Sequence, residues 1–123
     1  MILGIDTSNY TTSIAIYQNG QITQEKKLLS VKAGQRGLRQ SDAVFQHIVN
    51  LPELFDQINF DNIQAVGVST RPRNAQGSYM PCFLVGENTA FAVSKTNNVP
   101  LHKTSHQVGH ILAALYSTDL INL

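Results

Sequence analysis

Tryptophan is absent, cysteine occurs once, and charged residues make up only 14% of the 123 residues. A lone cysteine, Cys82, cannot close an internal disulfide, so the fold must rest on packing, which suits a reducing compartment. The net charge of +1 leaves no broad basic surface of the kind nucleic-acid binders carry. RNA is still a possible substrate if another segment or a partner supplies the positive charge. No apolar run nears the roughly 20 residues that a membrane span needs. Met1-Ile2-Leu3-Gly4-Ile5-Asp6 lacks the charged start and long apolar stretch of a secretory signal. These absences give a cytoplasmic chain with no membrane role and one small domain.

What is present is a hydrophobic content of 42%, arranged in short periodic pieces. Residues 2–6 form an apolar run ending on a carboxylate, and Thr7-Ser8-Asn9 are turn formers. Residues 11–17 alternate as a strand, Asn19-Gly20 is a two-residue hairpin signal, and 21–31 is the returning strand. The glycine-bearing stretch from Lys32 to Leu38, with Lys32, Arg36 and the nearby Arg39 as its basic residues, reads as an exposed loop. Ser41 or Asp42 can cap a helix to about Ile58. Val44, Ile48, Leu51, Phe55 and Ile58 form its expected buried stripe, and Pro52 should kink or split it. His47 on this helix reads as structural.

Residues 63–70 read as a buried parallel strand, followed by a loop with Arg71 and Arg73 where open α/β sheets tend to bind ligands. Ser78 can cap a second helix with Pro81 in its first turn, carrying Phe83, Leu84, Ala90 and Val93 on its apolar side and ending at Asn97-Asn98. Residues 99–102 form a last strand. Thr104 or Ser105 can then cap a third helix on which His106 and His110, four apart, share one face.

Two imidazoles at that spacing can be two ligands of one metal ion. The same spacing also occurs on helix faces that bind nothing. Asp6 at a strand end is a candidate for positioning water or phosphate, or equally a carboxylate holding turn N–H groups. Ser8, Asn9, Thr11 and Thr12 are candidate phosphate donors around the first turn. Cys82 has no neighbouring base in sequence to make it a nucleophile.

Three strands, then helix, strand, helix, strand, helix, give an α/β fold. An antiparallel meander continues into right-handed crossovers to form a mixed five-stranded sheet with helices on both faces. That is the ribonuclease-H-like arrangement, and also one lobe of the actin-like ATPases.

Gly4-Ile5-Asp6-Thr7-Ser8, Val66-Gly67-Val68, Leu84-Val85-Gly86, Asn98-Val99-Pro100 and His106-Gln107-Val108-Gly109-His110-Ile111-Leu112-Ala113 occur in an order that resembles the tRNA threonylcarbamoyladenosine synthase family. Its members were formerly known as glycoproteases or O-sialoglycoprotein endopeptidases. The resemblance implies a two-lobed ATPase-like protein of which this chain is the N-terminal lobe, 1–123, with a second lobe absent. It implies transfer of a threonylcarbamoyl group from an acyl adenylate to the adenine beside the tRNA anticodon. The histidines of the family's His-x-Glu-x-His motif match His106 and His110, implying a divalent metal, iron or zinc, and an adenylate or ATP-like nucleotide. Partners implied are tRNA and other proteins of the tRNA-modification complex. The lobe by itself is expected to be inactive, and to self-associate through the surface left bare.

The departures shape the functional reading. The family's first turn, Glu-Thr-Ser-Cys-Asp-Glu-Thr, stands here as Asp6-Thr7-Ser8-Asn9-Tyr10-Thr11-Thr12, so Tyr10 and Thr11 replace an acidic pair. Val108 replaces the Glu between the metal histidines. A Gly-Pro-Gly loop is replaced by Arg71-Pro72-Arg73. A carboxylate cannot give way to a phenol or a methyl group without changing proton transfer. Two readings follow: a transferase of this family, or a divergent paralogue that binds metal or nucleotide or serves as a scaffold. The family also contains an inactive-looking relative without the metal histidines, and His106 and His110 argue against that identity. A metallopeptidase is the weakest option, because Gln107 stands where a zinc peptidase needs its general base.

Overall fold

A computed structural model describes residues 1–8, 10–30, 40–71 and 81–105. The elements are β1 (Ile2–Ser8), β2 (Thr11–Gln18), β3 (Gln21–Leu28), α1 (Gln40–Asp56), β4 (Ala65–Arg71), α2 (Phe83–Asn97) and β5 (Leu101–Ser105). They form a five-stranded sheet in the order β3-β2-β1-β4-β5. β1, β2 and β3 are antiparallel neighbours, while β4 runs parallel to both β1 and β5. This is the mixed α/β sheet of the ribonuclease-H-like and actin-like ATPase lobe.

Local chemistry explains most boundaries. Gln18 pairs with Gln21 across a two-residue loop, and both Asn19 (φ 54) and Gly20 (φ 78) are left-handed. That is the type I′ turn that the Asn-Gly pair favours. α2 ends in a left-handed Asn98, with Asn98 and Val99 N–H groups bonding the carbonyls of Lys95 and Ser94, a Schellman arrangement that satisfies the last carbonyls.

Several sequence expectations shift. Thr7 and Ser8 extend β1 instead of turning, because they pair with Thr12 and Thr11 in the ladder. Pro52 lies inside a continuous α1 and does not split it. Pro81 precedes α2, its carbonyl closing a turn with Leu84 N–H; Ser78 lies outside the described residues. β5 runs on through Thr104 and Ser105, both expected as helix caps.

The α1 stripe also differs. Ala43, His47, Asn50, Leu51, Leu54 and Ile58 are buried, whereas Ile48 is 54% exposed. Apolar residues lie on more than one side of this helix, so periodicity alone misplaces the core face. On α2 the buried line is Phe83, Gly86, Ala90 and Ser94. Three small residues four apart let the helix lie close to the sheet, and Leu84 is exposed.

Both described helices cover one face of the sheet. Leu3, Ile5, Ile14, Ile16, Val66 and Val68 point to that face and pack with Leu51, Leu54 and Ala90. Each fully buried aliphatic side chain contributes about 1.5–3 kcal/mol. Between the helices runs an apolar groove of about 350 Å³, lined by Ile48, Pro52 and Phe55 on α1 and by Val85, Thr89 and Val93 on α2. The helix expected to cover the other face falls on residues outside those described. β3 is an edge strand, exposed almost throughout. Among the described residues no helix is long and apolar enough to cross a membrane.

Candidate functional site at the carboxyl edge of the sheet

β1, β4 and β5 are parallel, so their carboxyl ends meet at one edge. Ligands of open α/β sheets bind at such edges, where strand ends leave polar backbone and loops converge. Asp6 lies there on β1. Its carboxylate accepts a hydrogen bond from the buried Ser69 hydroxyl of β4 at 2.8 Å. Ser69 is opposite Thr104 of β5, and Asp6 is opposite Ser13 of β2. Strand alternation puts Asp6, Thr11, Ser13 and Ser69 on the same face of the sheet. A carboxylate beside several hydroxyls can orient water or hold a polar ligand.

The sheet separates the sequence-derived candidates. Asp6 and Thr11 share that face, and Ser8 is paired with Thr11 in the ladder. Thr12 is on the other: its hydroxyl is fully buried, lies 2.7 Å from His47 Nδ1 and accepts from Asn50 Nδ2 at 3.2 Å. Thr12 therefore ties β2 to α1. Asn9, Arg73, His106 and His110 lie outside the described residues. β5 ends at Ser105, opposite Arg71 and immediately before His106 in sequence. His102 is an exposed strand residue. Among the described residues no three His, Cys, Asp or Glu side chains gather as a metal site.

Sequence reasoning passed over Thr7, Ser13 and Ser69. The two-residue period of a strand was the available signal for Ser13, and only strand order brings Ser69 beside Asp6. Thr7 is fully buried on the helix-bearing face. Its hydroxyl donates to Cys82 O at 2.8 Å and accepts from Gly86 N at 3.0 Å. Those two groups are the acceptor and donor of the first turn of α2. A Cβ on Gly86 would sit 2.9 Å from Thr7 Oγ1 and 3.3 Å from Ile5 Cγ2, so the close approach requires glycine. Cys82 beside them is fully buried. Burial pushes its thiol above the usual range, its own backbone N–H opposes that, and the Asp6 charge raises it further. It is a packed thiol and not an activated nucleophile.

No family model matches the chain. Curated relatives do. The tRNA N6-adenosine threonylcarbamoyltransferase of Bacillus thuringiensis (strain Al Hakam) is 29% identical over 122 residues, covering 92% of this chain and 34% of the relative. That of Latilactobacillus sakei is 28% identical over 129 residues, covering 98% of this chain and 36% of the relative. The chain thus spans about a third of the length of these relatives. Among solved structures, YeaZ from Pseudomonas aeruginosa superposes with a TM-score of 0.55 at 13% identity, over 85% of this chain and 42% of that one. At that identity the likeness is one of fold. The sequence matches, which run through nearly all of the chain, support its place as a divergent relative of the tRNA N6-adenosine threonylcarbamoyltransferase family.

Proposed function

We propose that this chain is the N-terminal lobe of a threonylcarbamoyltransferase-like protein that modifies the anticodon-adjacent adenine of tRNA, taking the threonylcarbamoyl group from an acyl adenylate. The observation that carries this reading is the match to proteins of that name over 92–98% of the chain. The fold is compatible, since it gathers Asp6, Ser8, Thr11 and Ser69 at the edge where such sheets bind ligands.

In this reading His106 and His110 hold a divalent metal together with groups from the rest of the protein. Such a metal supplies Lewis-acid polarisation of the acyl adenylate. Asp6, held by Ser69, would orient water or a phosphate, and the hydroxyls of Ser8 and Thr11 would donate to anionic oxygen.

The test uses the full-length gene in cells depleted of their own synthase, with threonylcarbamoyladenosine measured by mass spectrometry of digested tRNA. Restored modification, abolished by His106→Ala with His110→Ala, is the expected result. The same double variant should lose bound metal in elemental analysis of the purified protein. Absence of modification from a folded, metal-loaded protein would sink the transferase reading. A second reading, a paralogue that binds without catalysing transfer, is favoured by one observation: the acidic pair of the family's first turn is Tyr10 and Thr11 here, and Tyr10 is solvent-exposed.

A further inference from the structure

Thr7 and Thr12 are direct partners in the β1–β2 ladder, next to the turn that joins the two strands. Both side chains are fully buried on the helix-bearing face. Each hydroxyl is bound to a different helix. Thr7 bridges Cys82 O and Gly86 N at the start of α2. Thr12 lies against His47 Nδ1 and takes a hydrogen bond from Asn50 Nδ2, both on α1. One cross-strand pair therefore clamps the neck of the β1–β2 turn to both helices at once.

We infer that the Thr7–Thr12 pair is a mechanical link that makes the β1–β2 turn, and with it the Asp6 edge, follow the positions of α1 and α2. Three physical points carry this. Buried hydroxyls surrendering their partners are penalised, so the hydrogen bonds move with the groups that make them. Gly86 has no Cβ, which leaves no cushion between α2 and Thr7: a shift of the helix meets Thr7 Oγ1 and Ile5 Cγ2 directly. α1 and α2 meet near the clamp, where Ala43 and Val44 pack with Cys82 and Phe83, but an apolar groove lies between them farther along, so the spacing of their far ends is set mainly by the sheet and can change without breaking that contact. The link holds whatever reaction the protein takes part in.

The experiment perturbs each helix far from the clamp and reads the turn. Val93→Trp enlarges a groove residue of α2 seven positions beyond Gly86, about 10 Å along the helix. Phe55→Trp does the same on α1, five positions beyond Asn50 and about 7–8 Å farther along the helix. Backbone amide shifts of Tyr10 and Thr11 are recorded by NMR on the whole chain. Both tryptophan probes should move these amides in the parent. With Thr7→Val and Thr12→Val together the movement should fall at least threefold, and with Thr7→Ser and Thr12→Ser, which keep the hydroxyls, it should persist. Because losing both hydroxyls can unfold the chain, each single variant is measured too. Thr12→Val should silence the α1 probe and spare the α2 probe, and Thr7→Val should do the reverse. Unmoved amides in the parent, or an equal loss of both responses in each single variant, would overturn the inference.

Discussion

Gly86 and Thr7 are the residues at which the smallest chemical change meets the tightest geometry. A methyl group on Gly86 must displace Thr7 Oγ1, 2.9 Å away, or push α2 off β1. Gly86→Ala should therefore destabilise the chain by about 1–3 kcal/mol, the usual range for overpacking a close contact. Urea denaturation should show a lower midpoint with an unchanged slope. Cys82, one turn back, gives a pH signature. Its folded thiol titrates above the usual range because it is buried, with the Asp6 charge adding to the effect. The unfolded chain therefore releases the proton first, near pH 8.5. Stability from this group is fully present below that pH and declines as pH rises toward the higher folded value. Cys82→Ala should flatten the alkaline decline, as read from denaturation midpoints between pH 7 and 10. The native thiol should react slowly with a thiol reagent at pH 8.

At the scale of elements, α1 carries an internal proline and an unusually mixed surface. Pro52 lacks the N–H that a continuous helix would use, yet α1 runs through it. Replacing it with alanine should raise stability by up to about 3 kcal/mol, the difference between these residues in a helix interior. Thermal or chemical denaturation of Pro52→Ala checks this. The ion pair between Lys27 of β3 and Glu53 of α1 is short, at 2.7 Å, but both side chains are about half exposed. Solvent screening makes such a pair worth at most about 1 kcal/mol. Lys27→Gln should change stability by less than that, and the small effect should shrink further as salt is raised.

Element boundaries show what periodicity can and cannot reveal. The Asn19-Gly20 hairpin and the Asn98 cap were readable because both depend on local backbone conformation. The buried face of α1 was not, since Phe45, Ile48 and Val49 are exposed apolar residues that blur the helical period. His47 and Asn50, polar by composition, are buried in that face because Thr12 offers them a partner.

For the whole molecule, a net charge of +1 sets an expectation about RNA. Phosphate contacts supply most non-specific affinity. The chain alone should bind tRNA no tighter than the non-specific range of about 10⁻⁴–10⁻⁶ M at physiological salt. Filter binding of this chain beside the full-length protein checks it; tight binding by the chain alone would place the RNA surface here instead.

The strand and helix order through β5, the α/β class and the kinship with the threonylcarbamoyltransferases are contained in the sequence itself, because they rest on local periodicity, turn chemistry and motif order. So are Asp6, Ser8 and Thr11 as members of one polar turn region. What only the tertiary structure decides is which side of the sheet each residue serves. Thr11 and Thr12 are adjacent and chemically alike, yet one stands on the Asp6 face and the other is sealed against α1. Ser69 reaches Asp6 from 63 residues away, and Thr7 reaches Gly86 from 79. Those pairings come from the parallel register of β1 with β4 and the close seating of α2 on β1. Both are consequences of how the chain packs as a whole, and no local pattern encodes them.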